Sequence, residues 1–296
     1  MSRYIVVTGA AGRLGSALVR EWRNRGEEVI ALARPEFDLG SPDRIRASLE
    51  SLDFGVLVNC AAQTNVDRCE THPDEAAALN AQAVRTMAEI CVTKGARLIQ
   101  ISTDYVFDGA KTTPYTEDDP AKPISHYGES KRAGEIAALE ISAHNLIARV
   151  SWVFGPDRSS FVDQILQRAR TESSVAAIAD KVAVPTYTLD AARLLRPLLF
   201  DIPAAGVLHV CNAGACTWQE YGQHALNCAA AAGDRLKATT VEPLKLADLK
   251  AFIARRPPYT AMSTEKLRRL TGAEPRDWRG AVREYVTSQV GRIAPQ

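Results

Sequence analysis

Continuously apolar, β-rich runs recur through the first half of the chain, at 4–7 (YIVV), 28–33 (EVIALA), 55–62 (GVLVNCAA), 96–102 (ARLIQIS) and 145–150 (NLIARV). Runs that are apolar throughout, rather than alternating, are the pattern of strands buried on both faces. Between them lie amphipathic stretches such as GSALVREWRNRG and PDEAAALNAQAVRTMAEICVTKG, the second opened by Pro73 and closed by Gly95, as helices commonly are. Strand and helix alternating in this order predict an α/β fold, a Rossmann-type doubly wound parallel sheet.

Beyond Val150 the alternation weakens. The stretch 185–201 reads as a helix, followed by one more strand at 206–212, a pair expected to return to the sheet. Further helices are expected in TWQEYGQHALNCAAAAG and near 264–271 and 277–288, with a proline-rich loop RRPPYTAMS before them. The division this suggests is a nucleotide-binding domain over 1–152, joined by the segment 188–212, and a smaller carboxyl-terminal lobe over most of 153–296.

Composition narrows the function classes. Hydrophobic residues make up 46% and charged residues 24% of the 296 positions, an ordinary globular balance. With 36 basic against 35 acidic residues the net charge is +1, so no global field favours nucleic acid or an anionic membrane surface. The six cysteines form no CxxC pair and have no zinc-like spacing with the five histidines, so they are read as reduced thiols and no metal site is expected. The apolar run in MSRYIVVTGAAG is too short for a signal peptide, and no stretch approaches the roughly 20 apolar residues of a membrane span. The expected compartment is the cytoplasm.

The first strand runs into TGAAGRLG, which spaces Gly9, Gly12 and Gly15 as GxxGxxG at the opening of the first helix. Such a turn lets the backbone approach a diphosphate, which the free N–H groups at the helix start then hold. NAD-binding folds of this kind often place an acid at the end of the second strand to take the ribose 2′-hydroxyl. Here Arg34 stands in that region, and a guanidinium suits the 2′-phosphate of NADP, with Arg13 in the turn as a second donor. The reading therefore prefers NADP(H) and leaves NAD(H) open; the alternative is that both arginines are solvated surface residues.

Two further elements point to carbonyl chemistry. Tyr127 and Lys131, in SHYGESKRAG, are spaced i, i+4 and share one helix face. Free tyrosine titrates near 10, and a neighbouring ammonium is expected to lower that value and make the phenol a usable acid. The fourth strand ends in ISTDYVFDG, delivering Ser102, Thr103 and Asp104 to the carboxyl edge of the sheet, where open α/β folds bind their ligands. Glycine turn, hydroxyl and YxxxK, in that order, form the constellation of a carbonyl reductase.

With these motifs and the stretches VNCAAQTNVDRCETHPDEAAALN, STDYVFDG, PYTEDDPAKPISHYGESKRAGE, ARVSWVFGP, VPTYT and RRPPYTAMSTEKL, the sequence resembles the extended short-chain dehydrogenase/reductases, and within them the dTDP-4-dehydrorhamnose reductase family. The resemblance spans most of the chain. It implies that Thr103, Tyr127 and Lys131 are catalytic and that Leu14, together with the glycine turn, Asp38, Leu39, Ala61, Ala62 and Thr64, contacts the cofactor. It also implies that Asp104, Tyr105 and Trp152 line a sugar site in a substrate-binding carboxyl-terminal lobe. In that reading NADPH reduces C4 of a nucleotide-linked 4-keto-6-deoxy sugar while Tyr127 protonates the new alkoxide, and a homodimer is possible.

The family's DQxGxPT reads DKVAVPT at 180–186, its RPxxSxL loop reads RPPYTAM with Thr260 for the serine, and Ser160 replaces an asparagine. Positions where some relatives carry glutamates for an intersubunit magnesium correspond to Ala17 and Leu189. Arg256 is a candidate diphosphate ligand, with a surface role beside the prolines as its alternative. Asn80 either anchors a group near the site or makes a local packing bond. Trp152 and Tyr105 could stack on a ligand or belong to the core. Two other functions stay open: an epimerase or another reductase of the same superfamily, and a non-catalytic binding protein resembling the regulatory subunit of methionine adenosyltransferase.

Overall fold

The computed structural model describes residues 2–293. Its first half runs β1 (Ile5–Thr8), α1 (Arg13–Arg23), β2 (Val29–Leu32), α2 (Pro42–Glu50), β3 (Val56–Asn59), α3 (Val66–Thr71), α4 (Pro73–Ala77), a π-helical segment Ala78–Gln82, α5 (Ala83–Thr93), β4 (Arg97–Thr103), α6 (His126–Ile141) and β5 (Leu146–Val150). The second half adds β6 (Val153–Phe154), α7 (Phe161–Thr171), β7 (Val175–Ile178), β8 (Val182–Ala183), β9 (Thr186–Tyr187), α8 (Thr188–Leu195), α9 (Pro197–Phe200), β10 (Gly206–His209), β11 (Cys216–Thr217), α10 (Trp218–Ala231), β12 (Val241–Leu244), α11 (Glu265–Thr271) and α12 (Trp278–Ile293).

Six parallel strands form the central sheet in the order β10-β5-β4-β3-β1-β2. The sequence expectation of a Rossmann-type parallel sheet holds. Its physical basis is visible strand by strand. Ile5, Val7, Val56, Val58, Ile99, Ile101, Leu146 and Ala148 enter one core with Leu18 and Trp22 of α1 and the apolar face of α8. Their neighbours Val6, Leu57, Leu98 and Ile147 enter a second core under α2, α5 and α6. Successive side chains of a strand point to opposite faces, so a run apolar at every position is what a sheet covered on both sides requires.

The carboxyl-terminal lobe closes a third core from α7, α10, α12 and the parallel β7–β12 pair, including Leu226, Trp278 and Val286. Between β6 and β12 the chain also supplies β10 and α8 to the large sheet, with β10 beside β5 and α8 packed on α1. The terminal lobe residues 294–296, and Met1, lie outside the described residues.

The helix expected over 73–95 is interrupted. Residues 78–82 form a π segment because α6 approaches closely there: a Cβ on Gly134 would lie 2.1 Å from the Asn80 carbonyl oxygen. Single π turns inside α-helices are frequent at functional sites. In this chain Asn80, within the bulge, meets Gln63 in the loop after β3 and Ser130 of α6.

Candidate active site

The sheet changes direction of winding between β1 and β3, and open α/β sheets bind ligands in the crevice that this reversal leaves at the strands' carboxyl ends. A cleft of about 860 Å³ lies there, at the upper end of the range for small-molecule sites, as a dinucleotide with a second ligand would need. Its lining begins with Gly9, Gly12, Arg13 and Leu14 at the glycine turn. Gly9 sits at φ +63°, and a Cβ there would lie 2.7 Å from the Ala61 amide nitrogen; one on Gly15 would lie 2.2 Å from the Gly9 carbonyl oxygen. Only glycine lets the turn fold this tightly. Gly15 thus shapes the turn from behind, and it is not part of the cleft wall.

Helix α1 starts at Gly12 with no side-chain cap and no acid in its first turn. Its first N–H groups therefore stay available to an anion, and the helix dipole favours one. Arg34, Asp38 and Leu39 line the cleft beyond the end of β2. Arg34 is exposed and, among the described residues, makes no hydrogen bond or ion pair. A phosphate-bearing dinucleotide fits this donor set, with the diphosphate at the uncapped helix start and a further phosphate within reach of Arg34.

Arg13 does not join Arg34. Its guanidinium donates to the carbonyls of Arg158 (3.2 Å) and Ser159, across the seam to the loop after β6. Those carbonyls take two of its three nitrogens, and Arg13 still lines the cleft. Arg158 in turn donates from Nε to the Ala11 carbonyl at 2.6 Å and lines the cleft. No spacing pattern in the sequence marks it.

Ala61, Ala62 and Thr64 form the wall after β3. This loop is held by two buried asparagines. Asn59 accepts from the Ala61 amide (3.1 Å) and donates to Gln100 (2.8 Å). Asn80 accepts from the Gln63 amide (2.8 Å) and donates to the Gln63 carbonyl and to Ser130 Oγ (both 3.0 Å). Asn80 is thus an anchor for the cleft loop, one of the two roles its sequence position allowed.

Thr103, Tyr127 and Lys131 line the same cleft. Ser125 caps α6, accepting from the Gly128 amide, and places Tyr127 in the first turn. A Cβ on Gly128 would lie 2.2 Å from the Tyr105 carbonyl oxygen, so only glycine lets α6 press against the chain leaving β4. Lys131, buried one turn on, donates from Nζ to the Ile101 carbonyl at 2.7 Å.

The electrostatics differ from expectation at the phenol. Tyr127 packs with Cys69, Ala76 and Tyr105, and burial in this apolar cluster raises its pKa above the ordinary 10, against a smaller lowering by the Thr103 hydroxyl. The ammonium does not bring it down, because Lys131 is held by a backbone carbonyl and is itself pulled to about 8 by burial, with Glu135 opposing. A phenol raised in this way keeps its proton at neutral pH, which suits a proton donor.

On the far wall, buried Asp104 accepts from Thr103 Oγ1 (3.1 Å) and Thr260 Oγ1 (2.6 Å). Tyr105 meets Tyr127 edge-on with ring centroids 5.6 Å apart. Trp152 holds a left-handed backbone conformation (φ 39°), its indole between the cleft and the rings of Trp218 and Tyr221, so it serves both core and cleft. Strained conformations of this kind persist where surrounding structure over-determines them, often at ligand sites. Arg256 stands outside the cleft wall. Asp67 takes its guanidinium at 2.8 Å, and the ring of Phe252 lies beneath it, which engages the donors a diphosphate would have used.

All six cysteines are free. Among the described residues no group of three or more His, Cys, Asp or Glu side chains is arranged to hold a metal ion, and no helix is long and apolar enough to cross a membrane.

A family model described as the RmlD substrate binding domain matches residues 2–290. The chain belongs to this family. The match takes in the glycine turn, the end of β4 and the carboxyl-terminal loops together, so it covers the whole cleft, and the resemblance drawn from the sequence holds. Among relatives of this RmlD-family chain, the spore coat polysaccharide biosynthesis protein SpsK of Bacillus subtilis (strain 168) is 36% identical, with 95% of this chain and 96% of the relative covered. The dTDP-4-dehydrorhamnose reductase of Streptomyces griseus is 36% identical over 97% of this chain and 94% of its own. The crystal structure of dTDP-4-dehydrorhamnose reductase from Bacillus anthracis str. Ames in complex with NADP superposes with a TM-score of 0.90 at 27% identity, covering 97% of this chain and 100% of that one.

The anchor at Asn80 can be tested directly. Asn80→Ala leaves the part-buried Gln63 amide without its partner and the Gln63 carbonyl with only the Cys69 thiol, and should cost about 1–3 kcal/mol of unfolding free energy in chemical denaturation. Hydrogen exchange at the Gln63 amide should quicken with it.

Proposed function

We propose that this RmlD-family chain is an NADPH-dependent reductase of a dTDP-linked 4-keto-6-deoxy sugar, converting the 4-keto group to an alcohol. The observation that carries the reading is the meeting of Thr103, Tyr127 and Lys131 in the cleft that begins at the uncapped start of α1. The family assignment and its named reductases support the substrate class.

NADPH, when bound, supplies the hydride that reduces the carbonyl carbon. The chain's own part is positional and protic. The glycine turn and the first N–H groups of α1 hold the diphosphate, and Arg34 takes the 2′-phosphate, which disfavours NADH without excluding it. Asp38 and Leu39 bound the adenine side, and Ala61, Ala62 and Thr64 form the wall between the two ends. Lys131, as an ammonium, donates to ribose hydroxyls as well as to Ile101.

Tyr127 gives its proton to the carbonyl oxygen as that oxygen becomes an alcohol, and Thr103 offers a hydroxyl to the same oxygen. The raised phenol pKa keeps that proton in place until the oxygen becomes basic enough to take it. Asp104, Tyr105 and Trp152 bound the sugar side. With Arg256 engaged by Asp67, Arg158 joins Arg13 as a cleft-lining cation near the glycine turn with no carboxylate partner among the described residues.

The test is NADPH consumption against a panel of 4-keto nucleotide sugars. Tyr127→Phe should lower kcat by about a hundredfold or more while NADPH affinity stays near wild type, since general acid catalysis is typically worth at least that. Turnover by Tyr127→Phe at close to the wild-type rate contradicts the mechanism. Arg34→Ala should weaken NADPH, by fluorescence titration, much more than NADH; equal weakening of both removes Arg34 from the 2′-phosphate.

A further inference from the structure

The loop between β6 and α7, residues 155–160, is bonded to α1 and the glycine turn from both directions. Its Asp157 takes the Arg20 guanidinium of α1. Arg13, two turns earlier on the same face of α1, donates to the carbonyls of Arg158 (3.2 Å) and Ser159. Arg158 answers by donating from Nε to the Ala11 carbonyl at 2.6 Å, inside the glycine turn. The far end of the loop is rooted in the lobe. Asp163 of α7 accepts from the Ser160 amide (2.7 Å) and hydroxyl (2.6 Å), and also takes the Tyr285 hydroxyl of α12. The loop is thus fixed on both sides, and Arg158 with it.

These bonds leave the two guanidiniums at the turn differently occupied. Arg13 has given Nε and Nη2 to the loop carbonyls. Arg158 has given only Nε, and its two terminal nitrogens make no hydrogen bond or ion pair among the described residues. The residue is exposed, and it lines the same cleft as Ala11, Gly12 and Leu14. A guanidinium is rigid and planar, so fixing Nε at the Ala11 carbonyl also holds the terminal nitrogens beside the turn. Asp157, the carboxylate on the same loop, is occupied by Arg20 and does not draw Arg158 away. Two free donors in a planar fork, next to a helix start that has no side-chain cap, suit the oxygens of a phosphate group.

We propose that Arg158 is a cofactor ligand supplied from the carboxyl-terminal lobe: its terminal nitrogens donate to the diphosphate of the dinucleotide that the first N–H groups of α1 hold from the sheet side. The inference deepens the reductase reading and rests on its placement of that diphosphate. The diphosphate is favoured over the 2′-phosphate by where Arg158 is tied. Ala11 immediately precedes Gly12, where α1 starts, whereas Arg34 lines the cleft beyond the end of β2. NADPH and NADH share the diphosphate, so Arg158 adds affinity for both without choosing between them, and the choice is left to Arg34. A dinucleotide bound in this way is gripped by both bodies at once, the sheet through the glycine turn and the lobe through one arginine.

Binding rather than turnover tests this. Isothermal titration calorimetry measures the affinity of wild type and Arg158→Gln for NADPH, for NADH and for adenosine 2′-phosphate, which carries the 2′-phosphate and no diphosphate. Glutamine has an amide nitrogen as many bonds along the side chain as Nε. It therefore keeps a donor for the Ala11 carbonyl while removing the charge and the terminal nitrogens. The Kd values for NADPH and NADH should rise by the same factor, about tenfold or more, the scale of one charge-assisted hydrogen bond. Adenosine 2′-phosphate should bind as it does to wild type. Arg34→Ala should give the reverse pattern, weakening NADPH and adenosine 2′-phosphate and sparing NADH. Unchanged affinity for both dinucleotides in Arg158→Gln overturns the inference. So does a loss confined to NADPH and adenosine 2′-phosphate, which assigns Arg158 to the 2′-phosphate, and so does an equal loss for all three ligands, the mark of a distorted turn. Should Arg158→Gln not fold, Arg158→Ala is held to the same three comparisons. A wild type that binds neither dinucleotide overturns the cofactor reading and this inference with it. A wild type that binds both but reduces no 4-keto sugar overturns the reductase reading alone.

Discussion

The hydrogen bond from the Lys131 ammonium to the Ile101 carbonyl is the interaction on which the geometry of the site depends. A buried ammonium must find a partner, and a charge-assisted bond to a fixed strand carbonyl is a strong one. It registers α6 against β4. Because Tyr127 lies one turn before Lys131 on the same helix face and Thr103 two residues after Ile101 on the strand, that register brings phenol and hydroxyl to one point. Gly128 permits the approach, and the Glu135–Arg149 ion pair (2.7 Å), which also takes the Ser102 hydroxyl, secures the next turn of the helix to β4 and β5.

The same site lies on a seam between sheet and lobe that is held by apolar packing, where Val106, Phe107 and Tyr115 meet Val184, Ala261 and Met262, and by polar groups. Arg13 and Arg158 exchange bonds with each other's loops at the glycine turn. Asp67 gathers the Ile253 and Ala254 amides (both 2.9 Å) and Arg256 at the mouth. Asp104 takes Thr260 at the centre. Arg13, Arg158 and Asp104 also line the cleft, so the same residues hold the seam and shape the site.

Much of this was legible in the sequence, for identifiable reasons. Strands buried on both faces leave unbroken apolar runs, which is why the parallel sheet could be read from 4–7, 28–33, 55–62, 96–102 and 145–150. The glycine turn and the Tyr127/Lys131 pair have local spacings, and the structure sets them on one cleft. What was not legible depends on partners distant in sequence. Arg256 could be read as a free diphosphate ligand only because Asp67, its partner, is 189 positions away. Arg158 has no motif around it. The phenol's pKa follows from burial among Cys69, Ala76 and Tyr105 rather than from its distance to Lys131 along a helix. The π segment at Ala78–Gln82 carries no glycine or proline signal, since its cause is the approach of Gly134 from another helix.

The central claim is that one cleft brings a reduced nicotinamide and a sugar carbonyl together beside Tyr127. The most direct measurement follows the hydride itself: the protein is incubated with NADPH deuterated at nicotinamide C4 and a dTDP-linked 4-keto-6-deoxy sugar, and the sugar product is examined by mass spectrometry and NMR. The account predicts one deuterium per product molecule, bonded to sugar C4 and derived from a single face of the nicotinamide. Product free of deuterium with either face labelled, or label at a different sugar carbon, would contradict it.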